Sequence, residues 1–282
     1  MKKMMQHLVV LLAIPTLSWG QDITFDISAG NDTLKSSLKE ASLVAAILPE
    51  DEPASQDYVA AARADYRRLL TALYSKGYYG GTISILVNGI EASSIAPLDA
   101  PRAITTGAYT VNPGPRFTFG NAVVAPVPNG TPKTEGFAAG EFARSDVITL
   151  VVNDAVTAWR NAGHAKAAAG AQKITARHND TVLDVDVAID FGPQLTFGAL
   201  TISGDSAVRS TRITKIAGIP IGGIYSPQDL LDAERRLRET GAFDSVSAVE
   251  ADEIGSDNTL PIELKIVDSR PRRIGYGIEL SS

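Results

Sequence analysis

A seven-residue phrase occurs twice in this chain of 282 residues. Gly114-Pro115-Arg116-Phe117-Thr118-Phe119-Gly120 returns as Gly192-Pro193-Gln194-Leu195-Thr196-Phe197-Gly198, about 78 positions later. So close an echo marks an internal repeat, and a repeat constrains the fold before any local propensity does. Gly-Pro cannot continue a helix or sit inside a central strand, so each copy closes one unit. The apolar residue, Thr and Phe that come next open a new unit on a strand.

The segments between these boundaries repeat as well. An amphipathic helix ends in Gly, then an aromatic or His, then strand. The three versions are Leu69 to Tyr78, Ala155 to His164 and Glu234 to Phe243. Gly77, Gly163 and Gly241 are the expected helix stops, because only Gly enters the left-handed conformation without steric cost. The chain reads as three copies of one small α/β module.

Module one spans residues 21–113. Leu34, Leu38 and Ala41/Ala45 form a first helical stripe, and Pro49 to Pro53 is a loop. Ser55 is expected to cap a second helix with Val59, Ala62, Tyr66, Leu69/Leu70 and Leu73 on its apolar face. Thr82 to Val87 and Ile104 to Val111 read as strands. Module two spans 114–191, with a weak first helix over Glu135 to Gly140 and a second capped by Ser145. Its last strand is Thr181 to Asp190, where Leu183, Val185, Val187 and Ile189 alternate with polar residues. Module three spans 192–269: strand Leu195 to Ser203, helix Val208 to Ala217, then a capping box at Ser226-Pro227-Gln228-Asp229. Strands Val246 to Ala251 and Leu260 to Ile266 complete it. The order β-α-α-β-β describes an α+β layer, two helices on one face of a sheet.

Residues 1–20 read as an export signal. Lys2 and Lys3 precede an apolar run from Leu8 to Ile14, and Ser18-Trp19-Gly20 places cleavage before Gln21. The chain has no cysteine, so no disulfide supports an exported fold. Its net charge of −6 argues against nucleic acid as partner.

After module three come Arg270-Pro271-Arg272-Arg273 and then Ile274, Tyr276, Ile278 and Leu280, alternating with Gly, Gly, Glu and Ser. That alternation is the signature of a strand in a transmembrane barrel, against the plainer reading of another soluble strand or a tail. If it holds, residues 270–282 start a barrel that the chain does not contain.

The signal, the β-α-α-β-β repeats, the helix closing on Gly and the repeated junction resemble POTRA domains. The third module with its Arg-Pro-Arg-Arg and Gly-alternating strand resembles the join between the last POTRA domain and a surface-antigen-type barrel in outer-membrane assembly factors. The count of three, with Ala92 and Ile95 to Pro101 ahead of Pro113-Gly114-Pro115, is similar to the TamA type; the BamA type has five such domains and two-partner secretion transporters two. The resemblance implies α+β architecture in three tandem modules followed by the first barrel strand. It also implies an outer-membrane protein with residues 21–269 in the periplasm. Its work would be to insert or secrete β-barrel and autotransporter proteins beside an inner-membrane partner of the TamB type, with no cofactor and no catalysis.

The residues offer little chemistry of their own. His164 and His178 lack metal-ligand spacing. Ser36-Ser37-Leu38-Lys39 has the S-x-x-K form without its partner motifs. Asp184, Asp186 and Asp190 read as a solvated strand face rather than a calcium ladder. Arg235, Arg236 and Arg238, with Arg270, Arg272 and Arg273, are the basic clusters, either solvated or facing anionic lipid. What remains is strand addition. A sheet edge pairs with an incoming extended segment through main-chain hydrogen bonds, with little demand on its sequence. The expected client edge is Thr82, Ile83, Ser84, Ile85, Leu86 and Val87, and the expected barrel seam is Ile274 to Leu280. The competing functions are a barrel-less periplasmic scaffold and an exported hydrolase.

Overall fold

The computed structural model describes residues 22–28, 32–47, 54–96 and 98–270. The export signal and the seam residues Ile274, Tyr276, Ile278 and Leu280 lie outside them. The chain divides into two compact units, one ending at Arg116 and the other starting at Phe117.

The first unit runs β1 (Asp22–Ile27), α1 (Asp32–Ala41), α2 (Leu43–Ile47), α3 (Ser55–Ser75), β2 (Thr82–Val87), β3 (Ile90–Glu91) and β4 (Thr106–Asn112). Its sheet has the order β1-β4-β2-β3, with β1 parallel and β2 antiparallel to the central β4. Helix α3 buries Val59, Ala62, Leu69 and Leu73, four of the residues its 3.6-residue period singles out. Ser55 is not the cap. Ala54 holds the N-cap position with no side-chain bond, and the Ser55 hydroxyl donates to the Arg102 carbonyl instead.

Asp65 is a polar residue at the middle of this core, with no exposed surface. Its carboxylate accepts from Ser42 Oγ at 2.6 Å, Leu43 N at 2.6 Å, Val44 N at 3.3 Å and Tyr109 Oη at 2.9 Å. It thereby satisfies amide groups at the start of α2, which helix geometry leaves unpaired. Burial and the nearby Asp65 carboxyl push the Tyr58 hydroxyl up to about 12. Tyr58 Oη is itself buried and has no hydrogen-bond partner among the described residues. Removing an unsatisfied buried hydroxyl removes its desolvation penalty. Tyr58→Phe should therefore leave stability unchanged or raise it by up to about 1 kcal/mol, while Tyr109→Phe lowers it by about 1–2 kcal/mol. Chemical denaturation of the two variants compares them directly; a loss in Tyr58→Phe equal to that in Tyr109→Phe sinks the argument.

The second unit holds two sheets. One runs β5 (Thr118–Ala125), α4 (Ser145–Asn161), β6 (Ala168–Arg177) and β7 (Val182–Asp190), in the order β5-β7-β6. The other runs β8 (Thr196–Ser203), α5 (Ser210–Ala217), α6 (Pro227–Glu239), β9 (Phe243–Glu250) and β10 (Thr259–Asp268), in the order β8-β10-β9. In each, first and last strands pair parallel and the edge strand pairs antiparallel. On β7, Leu183, Val185, Val187 and Ile189 are all buried, as their alternation requires.

Both Gly residues closing the repeated phrase sit at a register shift in the first strand's pairing. A Cβ on Gly198 would approach Leu260 C to 3.0 Å and its carbonyl oxygen to 3.1 Å, and one on Gly120 would strike the Asp184 carboxylate. A residue without a side chain lets the bulge close against its neighbour strand without displacing these groups.

The third residue of the phrase has a second task. Arg116 Nε donates to the carbonyl of Lys76, the C-cap of α3, at 2.8 Å. Gln194 Nε2 donates to the carbonyl of Ala162, the C-cap of α4, at 3.0 Å. Each junction thus supplies a donor to the end of the helix before it.

Two expectations for the second sheet need correction. Glu135 to Gly140 is a run of turns and bends, with Gly136 and Gly140 at φ of 78° and 86°. Such left-handed positions break a helix. Ser145 is the first helical residue, not the cap; Asp146 accepts from Val147 N at 2.9 Å and pairs with Arg144. In the third sheet Ser226 caps α6 as expected, accepting from Asp229 N, with Pro227 at the first helical position.

Candidate client-binding edges

A sheet edge is a binding site only where its outward N–H and C=O groups are available. Strand β2 is third of four in its sheet, with β3 on its outer side at Leu86 and Val87. Among Thr82 to Ile85, which have no strand beyond them, side chains intervene. Ile85 N donates to Glu91 Oε1 at 3.1 Å, Ser84 Oγ donates to Glu91 Oε2 at 2.8 Å, and Tyr66 Oη donates to the Ile85 carbonyl at 3.3 Å and to Glu91. Burial raises the Glu91 pKa, but the bonds from Tyr66, Ile85 N–H and Ser84 outweigh it and hold the carboxyl below its ordinary range. The expected client edge is therefore a β-strand as read, with its middle occupied by its own fold.

Strand β9 is stoppered in a similar way. Ala248 N donates to Glu234 Oε1 at 2.8 Å, and Arg238 Nη1 donates to the Val246 carbonyl at 3.3 Å. Both side chains come from α6, so the helix covers the edge with its own polar residues. The first strands of the second unit are also partly paired, whereas β1 of the first unit pairs with β4 on one side only. Phe119 bonds with Gly140 and Glu141, and Phe197 with Gly222 and Gly223, through segments that run beside β5 and β8.

Strand β6 differs. It pairs with β7 on one side only, over Ala168 to Arg177, with a register shift between Ala169 and Gln172. Nine of its ten residues are exposed, Ala176 being the exception. Among the described residues, no side chain reaches across its outer edge as Glu91 and Glu234 do elsewhere. The sequence pattern does not single out this strand. Ala-Ala-Gly-Ala-Gln-Lys-Ile-Thr-Ala-Arg buries no face, so it lacks the alternation that reveals β7 and β10. Lys173 and the register shift between Ala169 and Gln172 guard this edge against sheet-to-sheet pairing with a second copy of the chain.

The helical layer over this sheet is also thinner. In chain order the loop 126–144 stands where the third sheet has α5. Beside it lies a cleft of about 430 Å³ between β5 and α4, lined by Ala122, Val124, Val127, Phe137, Val151 and Ala155 among others.

The titratable residues that stand out in the sequence take structural places. His164 Nδ1 lies 2.9 Å from the Gly192 carbonyl oxygen, and its ring meets Trp159 and Phe191 edge-on. His178 meets Phe117 edge-on. Asp184 accepts from Asn121 N and Arg177. Arg236 donates to the carbonyls of Ile216 and Ala217, closing the end of α5. Among the described residues no group of three or more His, Cys, Asp or Glu could hold a metal ion, and no helix is long and apolar enough to cross a membrane.

Comparison with known proteins bears on this architecture. Residues 195–268 match the family model for POTRA, described as the surface antigen variable number repeat. The POTRA3–5 segment of BamA from Haemophilus influenzae superposes with a TM-score of 0.57 at 16% identity, covering 88% of this chain and 95% of that one. The fold is that of tandem POTRA domains. BamA from Haemophilus ducreyi lacking POTRA domains 1–3 aligns at a TM-score of 0.45 and 14% identity, over 54% of this chain and 30% of that one. POTRA1–3 of Omp85 from Anabaena align at 0.30 and 12%, over 89% and 95%. At such scores these two alignments add nothing to the fold assignment. No curated protein matches the chain.

Between its two sheets the POTRA-type second unit is joined by a polar knot. Arg160 of α4 donates to the Ala165 carbonyl at 2.5 Å, to Tyr225 Oη at 2.7 Å and to Glu250 Oε1 at 2.6 Å. Tyr225 Oη donates to the same Glu250 oxygen at 2.5 Å. Lys166 Nζ donates to the Ala251 carbonyl, Leu195 N to the Gly163 carbonyl, and Ala165 is buried in the core under the third sheet. Burial raises the Tyr225 pKa, assisted by the bond to Glu250.

Proposed function

We propose that this chain is the periplasmic arm of an outer-membrane assembly or secretion factor of the TamA type, and that it handles unfolded barrel or autotransporter strands by main-chain pairing at β6. The observation carrying this is the contrast among edges: β2 and β9 have backbone groups occupied by Glu91, Tyr66, Glu234 and Arg238, and β6 does not; β1, also paired on one side only, is shorter, with six residues against ten. Pairing through backbone alone suits a binder of many sequences. The tandem POTRA fold supports an arm rather than a catalyst, and BamA is a protein whose POTRA segment superposes on it. In this reading the modules are residues 21–113, 114–191 and 192–269, an export signal is removed at Gln21, a barrel begins near Ile274, and an inner-membrane protein of the TamB type is the partner. Thr82 to Ser84 offer a shorter second edge on β2.

The test uses neighbouring proline substitutions. Successive strand residues point their N–H groups to opposite sides, one into the ladder and one outward. Of Lys173→Pro and Ile174→Pro, one removes a ladder bond and lowers Tm. The other keeps the fold and blocks an incoming strand. The probe is a synthetic ten-residue peptide with the alternating pattern of a barrel strand, measured by fluorescence anisotropy. The native-like variant should bind it about tenfold more weakly, roughly one main-chain bond lost. Undiminished binding by that variant overturns β6 as the client edge.

A further inference from the structure

Helix α5 carries a row of three cations, two of them at the end of the helix where cations are disfavoured and the third, Lys215, in its last turn. Arg209 is its N-cap and Arg212 lies in its first turn, where no acidic residue is present; Lys215 continues the row. Cations are disfavoured at a helix N-terminus, and like charges three residues apart repel. All three are exposed. Five other arginines of the second unit are in ion pairs: Arg144 with Asp146, Arg160 with Glu250, Arg177 with Asp184, Arg235 with Asp232, Arg238 with Glu234. Among the described residues Arg209, Arg212 and Lys215 take part in no ion pair. In a chain of net charge −6, this is a local reversal of sign.

Its position gives the row a direction. Arg209, Arg212 and Lys215, with Ala207, Val208 and Thr211, line an open concavity of about 590 Å³. The Asp268 carboxylate, at the end of β10, accepts from Ser206 Oγ and Ala207 N, both at 2.7 Å. That acid, beside the start of the row, is thus already committed to backbone and hydroxyl. The same contact holds the start of α5 beside the point where the chain leaves the sheet. Exposed Arg270 comes two residues later, and the sequence continues with Pro271-Arg272-Arg273, outside the described residues.

We propose that Arg209, Arg212 and Lys215 seat the phosphate groups of an anionic lipid surface, so that the third sheet rests its chain-exit end on the membrane. This rests on the outer-membrane reading of the chain. A broad, shallow, solvent-open basic surface fits a plane of headgroups, and juxtamembrane basic residues gain from such a surface individually. The charged groups are already in place, and the lipid supplies the anions that the fold withholds from them.

The test compares vesicle binding by the mature chain from Gln21 on. Phosphatidylcholine vesicles containing phosphatidylglycerol should sediment the protein, and pure phosphatidylcholine vesicles should not. The triple variant Arg209→Gln, Arg212→Gln, Lys215→Gln should lose about tenfold in apparent affinity. A control removing the same charge from the first unit, Lys35→Gln, Lys39→Gln, Arg67→Gln, should lose little; circular dichroism verifies that both remain folded. An equal loss in the control, or equal binding to both vesicle types, overturns the proposal. So does saturable binding of inorganic phosphate by these residues while vesicles stay unbound, since that outcome assigns a free-anion site. Peptide binding at β6 is measured in the same preparations. Its persistence without vesicle binding fails this inference alone, and the converse fails the client reading alone.

Discussion

Asp65→Ala should destabilise the first unit by about 3–5 kcal/mol, because it strands several buried donors at once. Ser42 Oγ, the amides of Leu43 and Val44, and Tyr109 Oη all converge on this one carboxylate. Loss of the acceptor leaves them desolvated with nothing to bond, in a core that leaves no surface of Asp65 exposed. A typical domain has roughly 5–15 kcal/mol in total, so the variant approaches the limit of folding. Asp65→Asn keeps the shape but turns one acceptor into a donor among donors, and should fall between wild type and the alanine variant. Hydrogen exchange read by mass spectrometry is the suitable measurement, since two compact units need not unfold together. Protection should fall across α1, α2 and β4. Protection in α2 within about 1 kcal/mol of wild type would show that the carboxylate is replaceable.

Arg160→Ala should have the second largest effect, about 2 kcal/mol, together with a change in cooperativity. The guanidinium is about one-third exposed and the Glu250 carboxylate 19% exposed, so the pair is discounted from the cost of a fully buried one. For a unit of this size that is a lowering of Tm by roughly 4–8 °C. The sharper expectation is that the second and third sheets, joined through Arg160, Tyr225 and Glu250, separate into two calorimetric transitions. Arg160→Lys should recover only part, because an ammonium cannot reach Ala165, Tyr225 and Glu250 with one planar fork. A single transition at the wild-type temperature would assign the joint to the backbone bonds and Ala165 instead.

The sequence showed most where one side of an element is buried and the other wet. Strands β7 and β10 bury an apolar residue at every second position and could be placed to within a residue or two. The helix stops were legible for a related reason: Gly77, Gly163 and Gly241 have φ of 87°, 97° and 68°, which other residues rarely adopt. The cap at Ser226 was visible because its partner Asp229 is three residues away. Ser55 and Ser145 look the same in sequence and do not cap, since the outcome depends on where the preceding chain enters. Strand β6 was invisible because it exists by pairing to β7, without an apolar face of its own. The occupation of β2 was equally hidden, since Tyr66 and Glu91 are 25 residues apart. Arg160 meets Tyr225 and Glu250 across 65 and 90 residues, a closeness that no local pattern encodes.

The donors at Arg116 and Gln194 bear on how the chain can be dissected. Each belongs by sequence to the segment after the junction but completes a helix end in the segment before. A fragment trimmed at Pro113 or at Phe191 would leave a terminal carbonyl raw, and its measured stability would understate that of the lobe within the whole. Nascent chain meets the same condition during synthesis: each of these helix ends is finished only after the repeated phrase that follows it has emerged.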